Sequence, residues 1–580
     1  MIVAHNGDII RDGNVYYINE DVDLRGKEWV MPYGSIIRFG GGLVKNGTIC
    51  GNNTYLEGDV RLCCKLDGTF LNNVINASWF QTDDVSQLSQ MIVSVFNLEQ
   101  RIALSLDKDI RLDGMRYDVK RVLIHSNGHC ITAPSCYRVK EDVAIIGVNY
   151  ECVNGNEIFL DLSVCESTAP SIHIESVSFD AHYRMDRFLY ASASHIEFAR
   201  IKVMNSSFTH FNRYVIIFQS GLTGTISDCE FIDIGDGAKD HVCAVWLGTE
   251  GGTGRFGAQK VIIKNNVFAR IKASHSDVAE SREAHAILVY GHANLIQGNS
   301  ISGIFAETAN NDPGFDSEGI YVKGGKNKII NNHLISAVGS GPDGAITVKS
   351  TFMNNTISGN IIDHSFGTGI QCYTNQSAIE NNDIISRQAA LISISVVDNS
   401  GSVVKSNRIT GDDSLNLKTF KAAFYVSKSR KVSIENNEIK SIPTMMVTYP
   451  NLVRIELREN YFNPGAIHYG QESYYTAPFS LHEEKCRLLF KNNQFILTGI
   501  RTSQIIESWA NSRAVVTFTG NRVYLRSKEA TKKEKLSFFT YFFRNCKQTA
   551  KRNVLIIDSG TSLRDYTDEV KQISNGFVLN

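Results

Sequence analysis

The sequence predicts an all-β protein built as a right-handed, single-stranded parallel β-helix, a solenoid whose turns stack into long parallel sheets. Three observations support this fold: a repeated asparagine phrase, the spacing of its copies, and the alternation of apolar residues between them. Successive copies are 22 to 33 residues apart. The asparagines that define the repeat are Asn266, Asn299, Asn332, Asn360, Asn382, Asn407, Asn437, Asn460, Asn493 and Asn521.

The segments between these asparagines read as strands rather than helices. Residues 319–323 (Gly-Ile-Tyr-Val-Lys) alternate with a period of two, and signals for helix starts and stops are largely missing. In the predicted fold, each turn of about 22 residues contributes three strands, and each strand pairs with the next turn about 4.8 Å away. We expect the repeated asparagine to lie at a tight bend, where it tolerates left-handed backbone and bonds neighbouring backbone.

One helix interrupts the β pattern and indicates the domain organisation. In residues 83–98, Asp84 is a suitable N-cap, and an apolar face follows it. We expect this helix to cap an open end of the solenoid. The face comprises Leu88, Met91, Ile92, Val95 and Phe96. The predicted regions are 1–80 (β-rich N-terminal cap), 81–135 (capping helix and first strands), 136–527 (β-helix) and 528–580 (final turn and tail).

Composition excludes several functional classes. The 580 residues carry a formal net charge of −1, so the chain lacks the basic excess that nucleic-acid binding requires. No apolar stretch approaches the roughly 20 residues that span a bilayer, and residues 1–8 do not resemble a secretory signal. The 12 cysteines are scattered, which favours reduced thiols and folding in the cytosol. No metal-ligand spacing or cofactor motif is found, so we expect neither a metal nor a cofactor.

The candidate site lies where long loops precede consecutive strands, in residues 235–241, 275–283, 306–318 and 339–343. Stacked turns bring such loops together beside the outward positions 246, 288, 321, 347 and 371, two of which are the aromatic residues Trp246 and Tyr321. Aromatic faces stack on sugar rings. The predicted substrate-binding residues are Trp246, Tyr290, Tyr321, Lys323, Lys349, His241 and His285.

Carboxylates stand at the same loop–strand junctions, and they are Asp240, Glu283, Asp316, Glu318 and Asp343. Neighbouring turns would separate them by about 5 Å and alternate turns by about 10 Å, which brackets the separations in glycosidases. The candidate catalytic residues are Glu283, Asp316, Glu318 and Asp343. Each candidate also has a non-functional interpretation. An exposed carboxylate is usually only solvated, and a histidine beside small residues, such as His285, usually has a structural role.

Two N-terminal segments carry a resemblance to a known family. Residues 32–49, with the pattern Pro-x-Gly-Ser followed by Phe-x-Gly-Gly and Asn-Gly-Thr-Ile, resemble β-helix proteins of gut Bacteroidota and their phages. Residues 76–80, followed by the predicted helix, resemble the start of pectate-lyase-like tail spikes. Many of those have Gly-Asp-Gly-x-x-Asp-Asp before the helix, whereas this chain has only Gln-Thr-Asp-Asp at residues 81–84. The resemblance implies a parallel β-helix, a homotrimer and carbohydrate as ligand.

These observations favour a phage tail spike or tail fibre protein that binds host surface polysaccharide, with depolymerisation left open. The expected location is the virion tail, after folding in the host cytoplasm, and other tail proteins would attach through the N-terminal region. Two alternatives remain: a secreted or cell-surface bacterial hydrolase or lyase of the β-helix class, and a structural virion protein without a ligand. Neither nucleic acid nor membrane insertion is expected.

Overall fold

The structure is a computed structural model, in which the chain forms two compact units. The N-terminal unit comprises Met1–Lys239 and Ala244–Ile262, and the C-terminal unit comprises Asp240–Cys243 and Ile263–Asn580. The structure describes residues 9–235, 241–249, 257–274, 283–307, 316–335, 344–349, 353–412, 421–448, 454–464, 479–481, 486–498, 506–508, 515–526, 547–557 and 577–579.

The chain folds as a right-handed parallel β-helix, which confirms the predicted fold class. In the N-terminal unit, a strand typically pairs in parallel with the strand three places later, as β11, β14, β17 and β20 do. The same interval recurs in the C-terminal unit, for example between β28 and β31. Three strands therefore complete one turn. The six N-terminal strands also pair in parallel, except that β1 and β2 are antiparallel.

The strands before residue 262 vary from two to fifteen residues. The N-terminal six are β1 (Ile9–Asp12), β2 (Val15–Ile18), β3 (Val22–Val30), β4 (Ile36–Phe39), β5 (Val44–Gly58) and β6 (Leu62–Phe70). The next are β7 (Val74–Asn76), β8 (Ala103–Leu106), β9 (Ile110–Arg111), β10 (Arg116–Val119), β11 (Val122–Ser126), β12 (Cys130–Thr132), β13 (Cys136–Val139), β14 (Val143–Ile146), β15 (Asn149–Glu151), β16 (Asn156–Asp161), β17 (Ser171–Glu175), β18 (Ser178–Asp180), β19 (Met185–Ala191), β20 (Ala199–Met204), β21 (Ser207–Thr209), β22 (Tyr214–Phe218), β23 (Leu222–Ser227), β24 (Glu230–Ile234), β25 (His241–Leu247) and β26 (Ala258–Gln259).

The remaining strands follow the same pattern. Up to residue 411 they are β27 (Ile262–Lys264), β28 (Val267–Ser274), β29 (Glu283–His292), β30 (Leu295–Gln297), β31 (Ser300–Glu307), β32 (Asp316–Lys323), β33 (Lys328–Ile330), β34 (His333–Ile335), β35 (Gly344–Val348), β36 (Thr356–Ser358), β37 (Ile361–Cys372), β38 (Ala378–Glu380), β39 (Asp383–Val397), β40 (Ser400–Lys405) and β41 (Arg408–Gly411). After it they are β42 (Ala422–Ser427), β43 (Lys431–Glu435), β44 (Glu438–Lys440), β45 (Thr444–Thr448), β46 (Arg454–Arg458), β47 (Tyr461–Asn463), β48 (Phe479–Leu481), β49 (Arg487–Lys491), β50 (Gln494–Thr498), β51 (Ile506–Ser508), β52 (Val515–Thr519), β53 (Arg522–Arg526), β54 (Lys547–Lys551), β55 (Asn553–Ile557) and β56 (Phe577–Leu579).

The predicted helix is present as α1 (Val85–Phe96), and a 3₁₀ turn (Ala77–Trp79) precedes it. The Asp84 carboxylate caps α1 by accepting hydrogen bonds from two amides of the first turn, and the predicted apolar face is buried. The hydroxyl of Ser94 accepts from the Leu66 amide at 3.0 Å, and that of Ser89 accepts from the Asp113 amide at 3.0 Å. The helix therefore contacts β6 on one side and the segment between β9 and β10, in the first turns of the β-helix, on the other.

Parallel pairing extends on both sides of residues 136–527. At the N-terminal side, β7 pairs with β8, and β8 pairs with β11. At the C-terminal side, β54 pairs with β52, and β55 pairs with β53. The tail residues 527–546 and 558–576 lie outside the described residues.

Buried asparagines form a continuous hydrogen-bonded ladder in the C-terminal unit. The side-chain oxygen of Asn382 accepts hydrogen bonds from both the backbone amide and the side-chain nitrogen of Asn360, at 3.0 and 2.9 Å. The Asn382 side-chain nitrogen donates to the Ile357 carbonyl and to the Asn407 side-chain oxygen. This pattern recurs from Asn266 through all ten repeat asparagines, and it continues to Asn553, an eleventh member that the sequence did not reveal.

We expected the ladder asparagine itself to adopt left-handed backbone. In the structure, the residue before each ladder asparagine adopts it instead. Left-handed φ angles from 52° to 69° occur at Asn265, Gly298, Asn331, Gly359, Asn381, Ser406, Asn436, Glu459, Asn492, Gly520 and Arg552. The bend turns at this exposed or partly exposed residue, and the next side chain is thereby directed inward. The frequent Asn-Asn pairs follow, because the first asparagine tolerates left-handed backbone and the second satisfies the buried backbone.

A second, shorter ladder joins Asn294, Asn327 and Asn355 in the same unit. Their side-chain nitrogens bond successive side-chain oxygens at 3.0 and 3.2 Å, and each of the three is about 1% exposed. Sequence reasoning missed this ladder because it has only three members. At the next turn, the equivalent bond is made between the amide of Ser377 and the hydroxyl of Ser402.

We predict that Asn382→Ala lowers the free energy of unfolding by about 3 kcal/mol, because buried donors and acceptors on two neighbouring turns lose their partners. Urea unfolding followed by circular dichroism measures the change. The matched control is Asn381→Gly, since glycine already occupies the equivalent left-handed position at Gly298, Gly359 and Gly520. Equal stability of the two variants would contradict the role of the ladder.

One buried lysine of this unit has an unfavourable charge. Lys421 is 2% exposed, and its ammonium donates to the Arg387 carbonyl at 2.7 Å. Burial lowers the pKa of Lys421 from 10.5 to about 8, although the Asp412 carboxylate partly opposes this effect. Below about pH 8, the folded protein therefore retains a charge that the unfolded chain accommodates more easily.

We predict that Lys421→Met stabilises the protein at pH 7 and that the advantage shrinks as pH rises from about 8 to 10.5. Across this window the unfolded chain binds more protons at Lys421 than the folded chain does, so wild-type stability rises relative to the variant by about 3 kcal/mol. Unfolding of both proteins at several pH values measures the difference. The exposed Lys431→Met is the control, and a pH-independent difference for Lys421→Met would refute the prediction.

Candidate functional site

The candidate site lies on the outer face of the C-terminal unit, beside a place where two consecutive residues of a strand face the core. Gly319 and Ile320 both face the core: a Cβ on Gly319 would lie 2.7 Å from Leu334 Cδ2, and Ile320 is fully buried. Because two consecutive residues point inward, the residues on either side of them, Glu318 and Tyr321, lie on the outer side. Glycine avoids this close approach, because a Cβ at residue 319 would require the Leu334 side chain to shift.

Two histidines and two carboxylates meet on this outer side. His285 of β29 lies between the carboxylates, with its Nδ1 2.9 Å from Glu318 Oε2 and its Nε2 3.5 Å from Glu283 Oε2. The Nε2 atom of His241, the first residue of β25, is 3.4 Å from the same Glu283 oxygen. Parallel pairing of β29 with β32 places His285 directly beside Glu318, which explains their contact. We call these four residues the His–Glu cluster.

Burial differs within the His–Glu cluster and separates the roles of its carboxylates. The side chains of Glu318 and His285 are 1% and 4% exposed, whereas those of Glu283 and His241 are 34% and 23% exposed. On this outer side, Glu318 and His285 are therefore covered, whereas Glu283 and His241 form the accessible part of the cluster.

The cluster shifts the pKa values of its members. Burial by itself would lower the pKa of His285, but the carboxylates of Glu318 and Glu283 outweigh it and raise the pKa to about 9. The hydrogen bond from His285 lowers the pKa of Glu283; burial opposes this effect, and the charge of His241 adds to it. Glu283 thus remains an anion and can act as a base, a nucleophile or a ligand.

Three members of the cluster can also hold a metal ion. Ligand atoms of His241, Glu283 and His285 all lie within 4.8 Å of one another. From sequence, the two histidines were assigned to substrate binding and no metal ligands were expected. The signal available in the sequence was the Glu-x-His spacing at residues 283–285 on the turn that follows His241, but such a short spacing indicates little without the fold.

A band of tyrosines and lysines lies next to the cluster. The ring centroids of His285 and Tyr321 are 6.0 Å apart, and those of Tyr321 and Tyr290 are 6.1 Å apart. The ammonium of Lys349 is 5.6 Å from the ring centroid of Tyr321 and equally far from that of Tyr373. Lys323 Nζ is 5.8 Å from the Tyr290 centroid. We call Tyr290, Tyr321, Lys323, Lys349 and Tyr373 the tyrosine–lysine band.

Tyr373 and its neighbour Gln371 were not among the predicted binding residues. The side-chain nitrogen of Gln371 donates to the Tyr373 hydroxyl at 2.7 Å, which orients the ring. Gln371 belongs to the outward line of Leu288, Tyr321 and Thr347 that pairs from strand to strand. Continuing that line along its strand by one outward position would have revealed Tyr373.

Most predicted residues of this region lie together, but four require separate description. Asp316 is placed by its backbone, opposite Glu283 in the β29–β32 pair. Asp240 and Asp343 lie outside the described residues. Trp246 belongs to the N-terminal unit, where it is half-buried and its ring centroid is 6.1 Å from that of Tyr214.

Comparison with known proteins supports the fold of this region. A family model described as a right handed beta helix region matches residues 285–462, a range within the C-terminal unit that begins at His285. No curated protein and no solved structure matched the chain. The family fits proteins that bind or degrade polysaccharides in general. Among the residues that the structure describes, no helix is both long and apolar enough to cross a membrane.

Proposed function

We propose that this chain is a phage tail spike or tail fibre protein that binds host surface polysaccharide along the tyrosine–lysine band. The observation that carries the proposal is the alternation of aromatic rings and ammonium groups on adjacent turns of one outer face. Tyrosine rings offer flat surfaces for sugar rings, and a repeat of about 4.8 Å per turn suits an extended chain. The resemblance of residues 32–49 to phage and gut-bacterial β-helix proteins supports the source.

The lysines favour an acidic polysaccharide. Lys349 lies between Tyr321 and Tyr373, so a sugar stacked on either ring would have its substituents near one ammonium group. Lys323 lies beside Tyr290, which is buried, so at that turn the ammonium group rather than the ring faces a ligand. Carboxylate or sulfate groups on the polysaccharide would pair with these charges, and binding would weaken as salt rises.

We predict that Tyr321→Ala weakens binding of purified host capsule about tenfold or more, because stacking area is lost at the centre of the band. Lys349→Gln should weaken binding and reduce its dependence on salt. Biolayer interferometry with immobilised capsule measures both effects. Tyr461→Ala is the matched control, since Tyr461 is half-buried on β47, which pairs with β44 and β50 and not with the strands that carry the band. If Tyr321→Ala binds as wild type does, the band is not the binding surface.

The His–Glu cluster beside the band favours a second candidate function, which is cleavage of the glycan by hydrolysis or by elimination. Glu283 is the accessible carboxylate and the candidate for direct contact with substrate, whereas Glu318 positions His285. In a cleaving enzyme, Glu283→Gln should reduce turnover about 10²-fold or more and leave binding largely intact. Product sizing reveals cleavage, and ultraviolet absorbance of unsaturated ends separates a lyase from a hydrolase. If the capsule is not shortened, the cleavage function is refuted and only the binding function remains proposed.

The assembly belongs to the same proposal: a homotrimer in the virion tail, joined to other tail proteins through its N-terminal region. Three exposed aliphatic residues, Val267, Ile335 and Ile361, lie on strands of one sheet in the C-terminal unit, and threefold packing would bury such a surface. We predict a solution mass three times that of the chain by light scattering. A monomer mass would refute the trimer, and an antibody against the chain that fails to label phage tails would refute the location.

A further inference from the structure

We infer that His241, Glu283 and His285 form a binding site for one divalent transition-metal cation, with Zn²⁺ the best match. This site goes beyond the proposed glycan binding and does not depend on it. The ligand atoms are His241 Nε2, one carboxylate oxygen of Glu283, and His285 Nε2. Two imidazoles and a carboxylate are a ligand set that zinc sites use when they retain an open position.

The spacing of the ligand atoms agrees with a tetrahedral cation. Ligands about 2.0–2.1 Å from a tetrahedral zinc ion are about 3.3 Å from one another. Glu283 Oε2 lies 3.4 Å from His241 Nε2 and 3.5 Å from His285 Nε2. All three ligand atoms lie within 4.8 Å of one another, so only small rotations are needed to close the site.

Glu318 supplies a second and independent observation. Metal-bound histidines usually donate their other ring N–H to a carboxylate, which fixes the tautomer and turns the free nitrogen towards the metal. Glu318 is 1% exposed, and its Oε2 lies 2.9 Å from Nδ1 of His285. This buried carboxylate occupies the Nδ1 side of His285, which leaves Nε2 as the nitrogen that faces Glu283.

The ligand set also distinguishes among cations. Ca²⁺ and Mg²⁺ require six or more oxygen ligands or several retained waters, whereas two of the three ligand atoms here are imidazole nitrogens. Three protein ligands leave a fourth position of a tetrahedral ion open. The His285 ring is 6.0 Å from Tyr321, so a bound cation would lie next to the tyrosine–lysine band. An oxygen atom of a ligand on that band could occupy the open position.

Another histidine pair provides a matched control. In the N-terminal unit, Nδ1 of His210 and Nδ1 of His182 approach the same Asp180 oxygen at 2.9 and 3.6 Å. Their rings are parallel, with centroids 6.4 Å apart, and both side chains are substantially exposed. The carboxylates near their other ring nitrogens, Asp233 and Glu151, are 25% and 53% exposed, unlike the buried Glu318. His210→Ala therefore removes a histidine next to a carboxylate without touching the proposed site.

The experiment uses full-length protein stripped with a chelator, then titrated with ZnCl₂ and CoCl₂. We expect one equivalent per chain by elemental analysis after dialysis, a rise in melting temperature, and the visible absorption of tetrahedral Co²⁺. His241→Ala and Glu283→Gln should each weaken binding about 100-fold or more. Glu318→Gln should weaken it about 10–100-fold, as loss of an outer partner does. His210→Ala should bind as wild type does.

Several outcomes would overturn the site: no stoichiometric binding, wild-type affinity in His241→Ala, equal loss in His210→Ala, or equal binding of Ca²⁺ and Mg²⁺. The melting temperature of each chelator-treated variant shows whether it folds. Because the His241 side chain is partly exposed, we expect His241→Ala to disturb folding least among these variants. Capsule binding measured with chelator present tests the tyrosine–lysine band separately, so failure of the metal site and failure of glycan binding give different results.

Discussion

The hydrogen bonds of the asparagine ladder hold the turns of the C-terminal unit in one register, and the outer face depends on that register. Each ladder oxygen accepts from the backbone and the side chain of the previous turn, so the asparagines cannot shift along the chain without leaving buried groups unsatisfied. Parallel pairing then repeats every outward position about 4.8 Å away. As a result, His285 lies beside Glu318, and Leu288 lies beside Tyr321.

The bend at the paired inward residues converts this regular coil into a site. Ala286 and Ile287 are both fully buried, as are Ala345 and Ile346 on a later turn. At the intervening turn the first position is Gly319, whose Cβ would collide with the core. Because the inward positions are doubled, polar residues before the bend and tyrosines after it lie on the same outer side. The His–Glu cluster and the tyrosine–lysine band are therefore consequences of one backbone feature repeated on stacked turns.

The His–Glu cluster concentrates charge where a simple framework would have apolar residues. A buried carboxylate and a buried imidazole are costly unless they are paired, and here each provides the partner of the other. The accessible end of the cluster consists of Glu283 and His241, while the buried end consists of Glu318. This polarity, with support behind and ligands in front, is the arrangement that metal sites and acid–base sites share.

Much of the fold was determined by the sequence itself. The repeated asparagine, the two-residue alternation and the Asp84 cap predicted the β-helix and α1, because these signals come from local backbone geometry and from periodic burial. The four residues of the His–Glu cluster were all among the candidates that the sequence offered in one region, but their contacts with one another were not predicted. Three features were decided by the tertiary structure: which residue turns left-handed, that Glu318 is buried beside His285, and that Tyr373 joins the band. These features depend on the doubled inward residues at the bend and on contacts between turns more than 20 residues apart, and no local pattern in the chain encodes them.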